Sequence, residues 1–108
     1  VYHNSIPDHP HHELAGRQMK HYAPLMSFEL KGGLEAVSQF MRRIRIITHA
    51  PTLGDLDTLV LHPDTSSHRN IPVEVKSKMG ITPGLIRLST GIEALDDLLA
   101  DLDESLNV

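Results

Sequence analysis

A chain of 108 residues with 40% apolar content is most simply one domain, and folding at this size hides roughly two-thirds of the unfolded chain's surface. Fourteen acidic against ten basic residues leave a net charge of -4, so no broad basic face offers itself to nucleic acid, and no stretch approaches the ~20 apolar residues that a membrane-spanning helix needs. Zero cysteines exclude disulfides and thiol chemistry and fit a reducing, cytoplasmic setting, while fifteen leucines beside two Phe, two Tyr and no Trp require an aliphatic core.

The start, Val1-Tyr2-His3-Asn4, lacks the basic residues and apolar stretch of a signal peptide; without an initiating methionine it points to a processed, excised or truncated polypeptide. Residues 1–12 read as an extended arm and 13–108 as the folded domain. Pro10 suits a first helical turn, with Asp8 or His9 as cap, leading into a short helix through Glu13–Met19 that Gly16 weakens. Met26, Phe28 and Leu30 alternate with Ser27 and Glu29, the period of a half-buried strand, which Gly32-Gly33 ends. Leu34, Val37, Met41 and Ile44 then recur at three- and four-residue steps, an amphipathic helix with Glu35 near its start and Arg42, Arg43 and Arg45 near its end, as the macrodipole favours.

Ile46-Ile47-Thr48 is β-branched and reads as a strand broken by Pro51 and Gly54; Thr58–Leu61 reads as another, stopped by Pro63. A helix follows from Pro72, with Val75 and Met79 four apart and Gly80 after it. Next comes an apolar strand carrying Arg87, and last a helix with apolar positions Leu95, Leu98, Leu99, Leu102 and Leu106. Its stretch from Glu93 holds six carboxylates and no base, a composition that usually forms a solvated helix face. Helices interleaved with strands over short connections predict an α+β fold, with a small, mostly antiparallel sheet covered by helices.

Arg87 is the sharpest candidate for chemistry. A permanent cation inside an apolar strand must meet an anion or reach water. Its planar fork can bind a carboxylate through two parallel hydrogen bonds; alternatively its stem packs on the sheet while its head is solvated. Thr52 and Leu53, between Pro51 and Gly54, offer a hydroxyl and a backbone N–H in a tight loop, or form a plain turn or cap. His9, His12 and Glu13 could share one helix face at a metal-compatible spacing, but a zinc site needs further ligands and an orienting shell.

The run Gly84-Leu85-Ile86-Arg87-Leu88-Ser89-Thr90-Gly91-Ile92-Glu93 is similar to the C-terminal part of the transsulfuration enzymes. Three further stretches carry the same likeness: Ser27-Phe28-Glu29-Leu30-Lys31-Gly32-Gly33, Thr52-Leu53-Gly54-Asp55 and His9-Pro10-x-His12-Glu13. That pyridoxal-phosphate family includes methionine γ-lyase, cystathionine lyases and synthases, and O-acetylhomoserine sulfhydrylase. The resemblance implies a domain like the small C-terminal one of fold-type I pyridoxal-phosphate enzymes. Arg87 would then hold the substrate carboxylate, assisted by Thr52 and Leu53; His68 would be structural at a domain boundary, and the histidine segment would not be a metal site. The substrate would be a sulfur-containing or O-acylated amino acid, undergoing elimination or replacement in a homo-oligomeric enzyme.

Cofactor chemistry of this kind needs a Schiff-base lysine, a carboxylate for the pyridine nitrogen and a phosphate cradle. Lys20, Lys31, Lys76 and Lys78 all lie outside the Ser-x-Thr-Lys-like context of the family, and Lys20, Lys76 and Lys78 occupy polar helical positions. The expectation is therefore that pyridoxal phosphate belongs to a preceding large domain, missing here, and that this chain alone neither binds it nor catalyses. The alternative is a free-standing, non-catalytic domain that dimerises through an apolar face left bare.

Overall fold

The sequence order of helices and strands is reproduced in a computed structural model, which describes residues 1–107. The elements are α1 (His12–Gln18), β1 (Leu25–Glu29), α2 (Gly33–Arg43), β2 (Thr48–His49), β3 (Leu59–Leu61), α3 (Val73–Lys78), β4 (Leu85–Ser89) and α4 (Leu95–Leu106). The four strands form one sheet in the order β1-β4-β3-β2. β4 runs antiparallel to both β1 and β3, whereas β2 and β3 are parallel. Among the described residues no helix is long and apolar enough to cross a membrane.

Register follows from the two-residue period of the strands. Ile86 lies opposite Phe28, and Leu88 lies between Met26 and Val60. These side chains face α2 and α4, forming a core with Val37, Phe40, Ile47 and Leu98; Ile86 and Phe40 are essentially inaccessible. Phe28 meets Phe40 edge-on, at 5.8 Å and 88°, a favoured aromatic geometry. The alternate residues must then point to the other face, and Arg87 sits there in the middle of the sheet, between Ser27 and Leu61.

Several local readings need correction. α1 starts at His12 without a side-chain cap; His9 Nδ1 instead accepts the His11 amide in the turn before it. Extended pairing near the N-terminus is confined to Tyr2, which exchanges backbone hydrogen bonds with Ser27 before the chain enters successive turns. β2 is shorter and later than expected: Ile46 is exposed and Ile47 buried ahead of the strand.

Leu34 lies exposed on α2, and only Leu98 of the α4 leucines is buried; Leu102 packs partly, while Leu95, Leu99 and Leu106 are exposed. α3 is inverted relative to its apolar pattern. Val73, Val75 and Met79 are exposed, and Lys76 is buried, its Nζ donating to the backbone oxygen and carboxylate of Asp64, both at 2.9 Å.

Nor is the acidic segment wholly a solvated face. Asp101 is 5% exposed and accepts the amides of Arg45, Ile46 and Ile47 at 2.9, 3.0 and 3.1 Å, fixing the turn between α2 and β2. Burial opposes its charge, but the three N–H groups and the neighbouring Arg45 cation outweigh that penalty and hold its carboxyl below the ordinary range.

Candidate functional site

The parallel pairing of β2 with β3 obliges the chain to return between them, and residues 50–58 make that return over the Arg87 face. Two observations define where this loop lies. Arg87 Nη2 donates to the carbonyl oxygens of Pro51 and Thr52 at 3.1 and 2.8 Å. Ser89 Oγ accepts the Gly54 amide at 2.9 Å, where Gly54 adopts φ +73, a conformation that disfavours a side chain.

The same pattern continues past the end of β4. Gly91 donates its amide to Thr58 Oγ1 at 2.9 Å, and a Cβ built on it would lie 2.1 Å from the Leu56 oxygen. Only glycine lets the two backbones pass this closely. Glu93 then accepts the Thr58 amide at 2.6 Å and the Thr58 hydroxyl at 2.7 Å. Those two bonds hold its carboxyl below the usual range. Every second residue from Arg87 to Glu93 therefore grips the loop: its start, middle and end are tied to one strip.

Arg87 is half-buried, and its Nε is buried without a hydrogen-bond partner among the described residues. With Nη2 occupied by two carbonyls, the guanidinium keeps donors in reserve beside the loop. Neutral carbonyls do not neutralise its charge, so the arrangement is a cation held in place with no anion paired to it among the described residues. Thr52 and Leu53 are both exposed, Leu53 at 56%. The structure thus brings Arg87 and Thr52 together through the Thr52 carbonyl, while Leu53 projects from the same loop.

The remaining histidine and lysine candidates go elsewhere. His12 Nδ1 bonds to the Asn4 carbonyl oxygen at 2.8 Å and its ring stacks on Tyr22; among the described residues no group of three or more His, Cys, Asp or Glu is placed to hold a metal. His68 Nδ1 shares a hydrogen bond with the neighbouring Ser67 hydroxyl at 2.8 Å. His62, not singled out from sequence, is buried: its Nε2–H donates to the Pro83 oxygen at 2.8 Å, which leaves Nδ1 to accept from Thr65 at 2.7 Å.

Of the lysines, Lys76 is sealed against Asp64, and Lys20, Lys31 and Lys78 are exposed. None lies in an enclosed site that fits a Schiff base, and the three positive-φ glycines (Gly33, Gly54 and Gly80) are scattered instead of forming a phosphate loop. The residues sequence reasoning missed are Thr58, Ser89, Gly91 and Glu93 as a set. For Ser89, Gly91 and Glu93 the signal was present as a small or polar residue at each even step beyond Arg87; Thr58 carried none.

A family model described as Cys/Met metabolism PLP-dependent enzyme matches residues 1–107. L-methionine gamma-lyase from Fusobacterium nucleatum subsp. polymorphum is 42% identical over 106 residues, covering 98% of this chain and 27% of that protein. O-succinylhomoserine sulfhydrylase from Pseudomonas aeruginosa is 41% identical over 106 residues, covering 98% of this chain and 26% of that protein. Among solved structures, cystathionine gamma synthase from Xanthomonas oryzae pv. oryzae in complex with cystathionine superposes with a TM-score of 0.90 at 43% identity, over 97% of this chain and 27% of that one. The chain thus spans about a quarter of the length of these relatives.

Proposed function

The chain belongs to the Cys/Met-metabolism PLP-dependent enzyme family, and we propose that it acts as the small, substrate-clamping domain of such an enzyme, holding the α-carboxylate of a sulfur-containing or O-acylated amino acid. The observation that carries this reading is Arg87: a guanidinium braced by two loop carbonyls, with a buried, unpartnered Nε. A carboxylate is the anion whose shape matches the planar fork. The Thr52 hydroxyl and the Leu53 amide lie in the loop that Arg87 braces and would complete the grip. Their contribution is orientation, since a carboxylate fixed at two oxygens leaves its α-carbon in one place.

Pyridoxal phosphate serves the intact enzymes of this family, and the lysines here do not fit it. On this reading the cofactor is held by a large domain outside these residues, residues 13–108 form the clamping domain, and residues 1–12 are the arm that joins it. The chain by itself would then be inactive. A cytoplasmic homo-oligomer belongs to the same proposal. Ile92, Leu95 and Leu99, at 77%, 67% and 53% exposure, form an apolar margin beside the loop that suits contact with further protein.

Arg87→Lys in the full-length polypeptide tests the clamp. Lysine keeps one charge but neither the fork nor the brace, so affinity for the amino-acid substrate should fall by about 10- to 100-fold, with cofactor absorbance unchanged. Unchanged affinity would leave Arg87 as a structural residue of the sheet.

A further inference from the structure

The Thr52-Leu53 loop has no secondary structure of its own, yet a clamp that fixes a carboxylate to a fraction of an ångström needs a rigid loop. Rigidity must come from the contacts that tie it to the strip beneath: the Gly54–Ser89 bond at its middle and the braces at its two ends. At its start the brace is Arg87 itself, which also serves the ligand; at its end the brace is Glu93. This carboxylate accepts the Thr58 amide and hydroxyl, the same hydroxyl accepts the Gly91 amide, and the Ile92 amide donates to the Leu56 oxygen at 2.8 Å. The four contacts cross between residues 56–58 and 91–93, where the two backbones approach too closely for a Cβ at Gly91.

We infer that Glu93 is a positioning residue for amino-acid binding: its carboxylate locks Thr58, and so sets the height of the Thr52-Leu53 loop above Arg87. This rests on the clamp proposed above. It also makes a prediction whose sign is opposite to simple electrostatics. Removing a negative charge near an anion site should by itself tighten anion binding. Removing a positioning residue should loosen it, and only for ligands that use the clamp.

Glutamine provides the rescue. Its carbonyl oxygen can keep the Thr58 amide, and its NH2 can donate to the Thr58 hydroxyl, which has a second lone pair to accept it. Aspartate does the reverse: it keeps the charge, but one methylene less prevents it from spanning both Thr58 groups.

The experiment is calorimetric binding of L-norleucine and L-norleucinamide to the full-length, cofactor-loaded protein, with thermal midpoints measured alongside. Norleucine has no sulfur or acyl leaving group, and its carboxamide removes the anion without changing the side chain. Glu93→Ala and Glu93→Asp should each weaken norleucine about tenfold while leaving norleucinamide nearly unchanged, and Glu93→Gln should stay within about threefold of wild type. Aspartate carries the test if the alanine variant does not fold. Equal or tighter norleucine binding in the alanine and aspartate variants would overturn the inference, as would equal losses for both ligands. Arg87→Lys separates the two levels: if it erases the preference for the carboxylate and the Glu93 variants do not, Glu93 alone is misassigned; if it leaves that preference intact, the clamp itself fails.

Discussion

Replacing Asp101 by asparagine isolates the charge of a side chain that organises a turn 55 residues away in sequence. In the native protein Oδ1 takes the Arg45 amide and Oδ2 takes those of Ile46 and Ile47. Asparagine has one acceptor oxygen. Placed at the Oδ2 position it retains two bonds as neutral ones and turns an NH2 group toward the Arg45 amide. Losing one charge-assisted bond and weakening two should cost about 2–3 kcal/mol.

With an unfolding entropy of about 2.1 cal/mol/K per residue, a 108-residue chain has about 0.23 kcal/mol/K, so the thermal midpoint should fall by about 10 °C. The pH dependence has a definite sign. The folded carboxyl titrates below its unfolded value, so its contribution is complete above the ordinary aspartate range and is lost as pH falls through the folded pKa. The gap between wild type and variant should therefore be constant near neutrality and narrow below roughly pH 5. Thermal and urea unfolding followed by circular dichroism, repeated down the pH series, read both quantities. A gap below about 0.5 kcal/mol at neutral pH, or one that does not change on acidification, would refute the reasoning.

Lys76→Met should leave stability within about 1 kcal/mol of wild type, because an apolar chain of similar volume replaces a desolvated cation while Asp64 keeps access to water; urea unfolding measures it. Incubating the 108-residue chain with pyridoxal phosphate, reducing with borohydride and weighing the intact product should give no adduct at a single lysine. A stoichiometric adduct at one lysine would place a cofactor site within this chain and contradict the division of labour proposed here.

Element order was legible because each element declares itself within a few residues. The two-residue alternation of Met26 and Phe28 and the three- and four-residue steps through Val37 and Met41 are local quantities, and they survive in β1 and α2. Which face an element buries is not local. Lys76 is inside because Asp64, twelve positions away, offers it two oxygens, and against that Val73 and Val75 are left outside.

Asp101 likewise looks like one acid among six until three amides from another turn converge on it. Arg87 stood out because a cation in an apolar strand is anomalous in any fold. Ser89, Gly91 and Glu93 are unremarkable residues singly. They become a set only when the returning loop is laid over them.

That returning loop has a further consequence. Adjacent parallel strands usually need a dozen or more residues to connect, and here residues 50–58 suffice. The same nine positions close the sheet and carry Thr52 and Leu53, so their length is fixed by topology before any ligand is considered. Inserting or deleting a residue would shift β2 against β3 and unseat the loop from its strip at the same time. On the clamp reading, diversification of this scaffold falls to the identity of a few exposed side chains in preference to loop length.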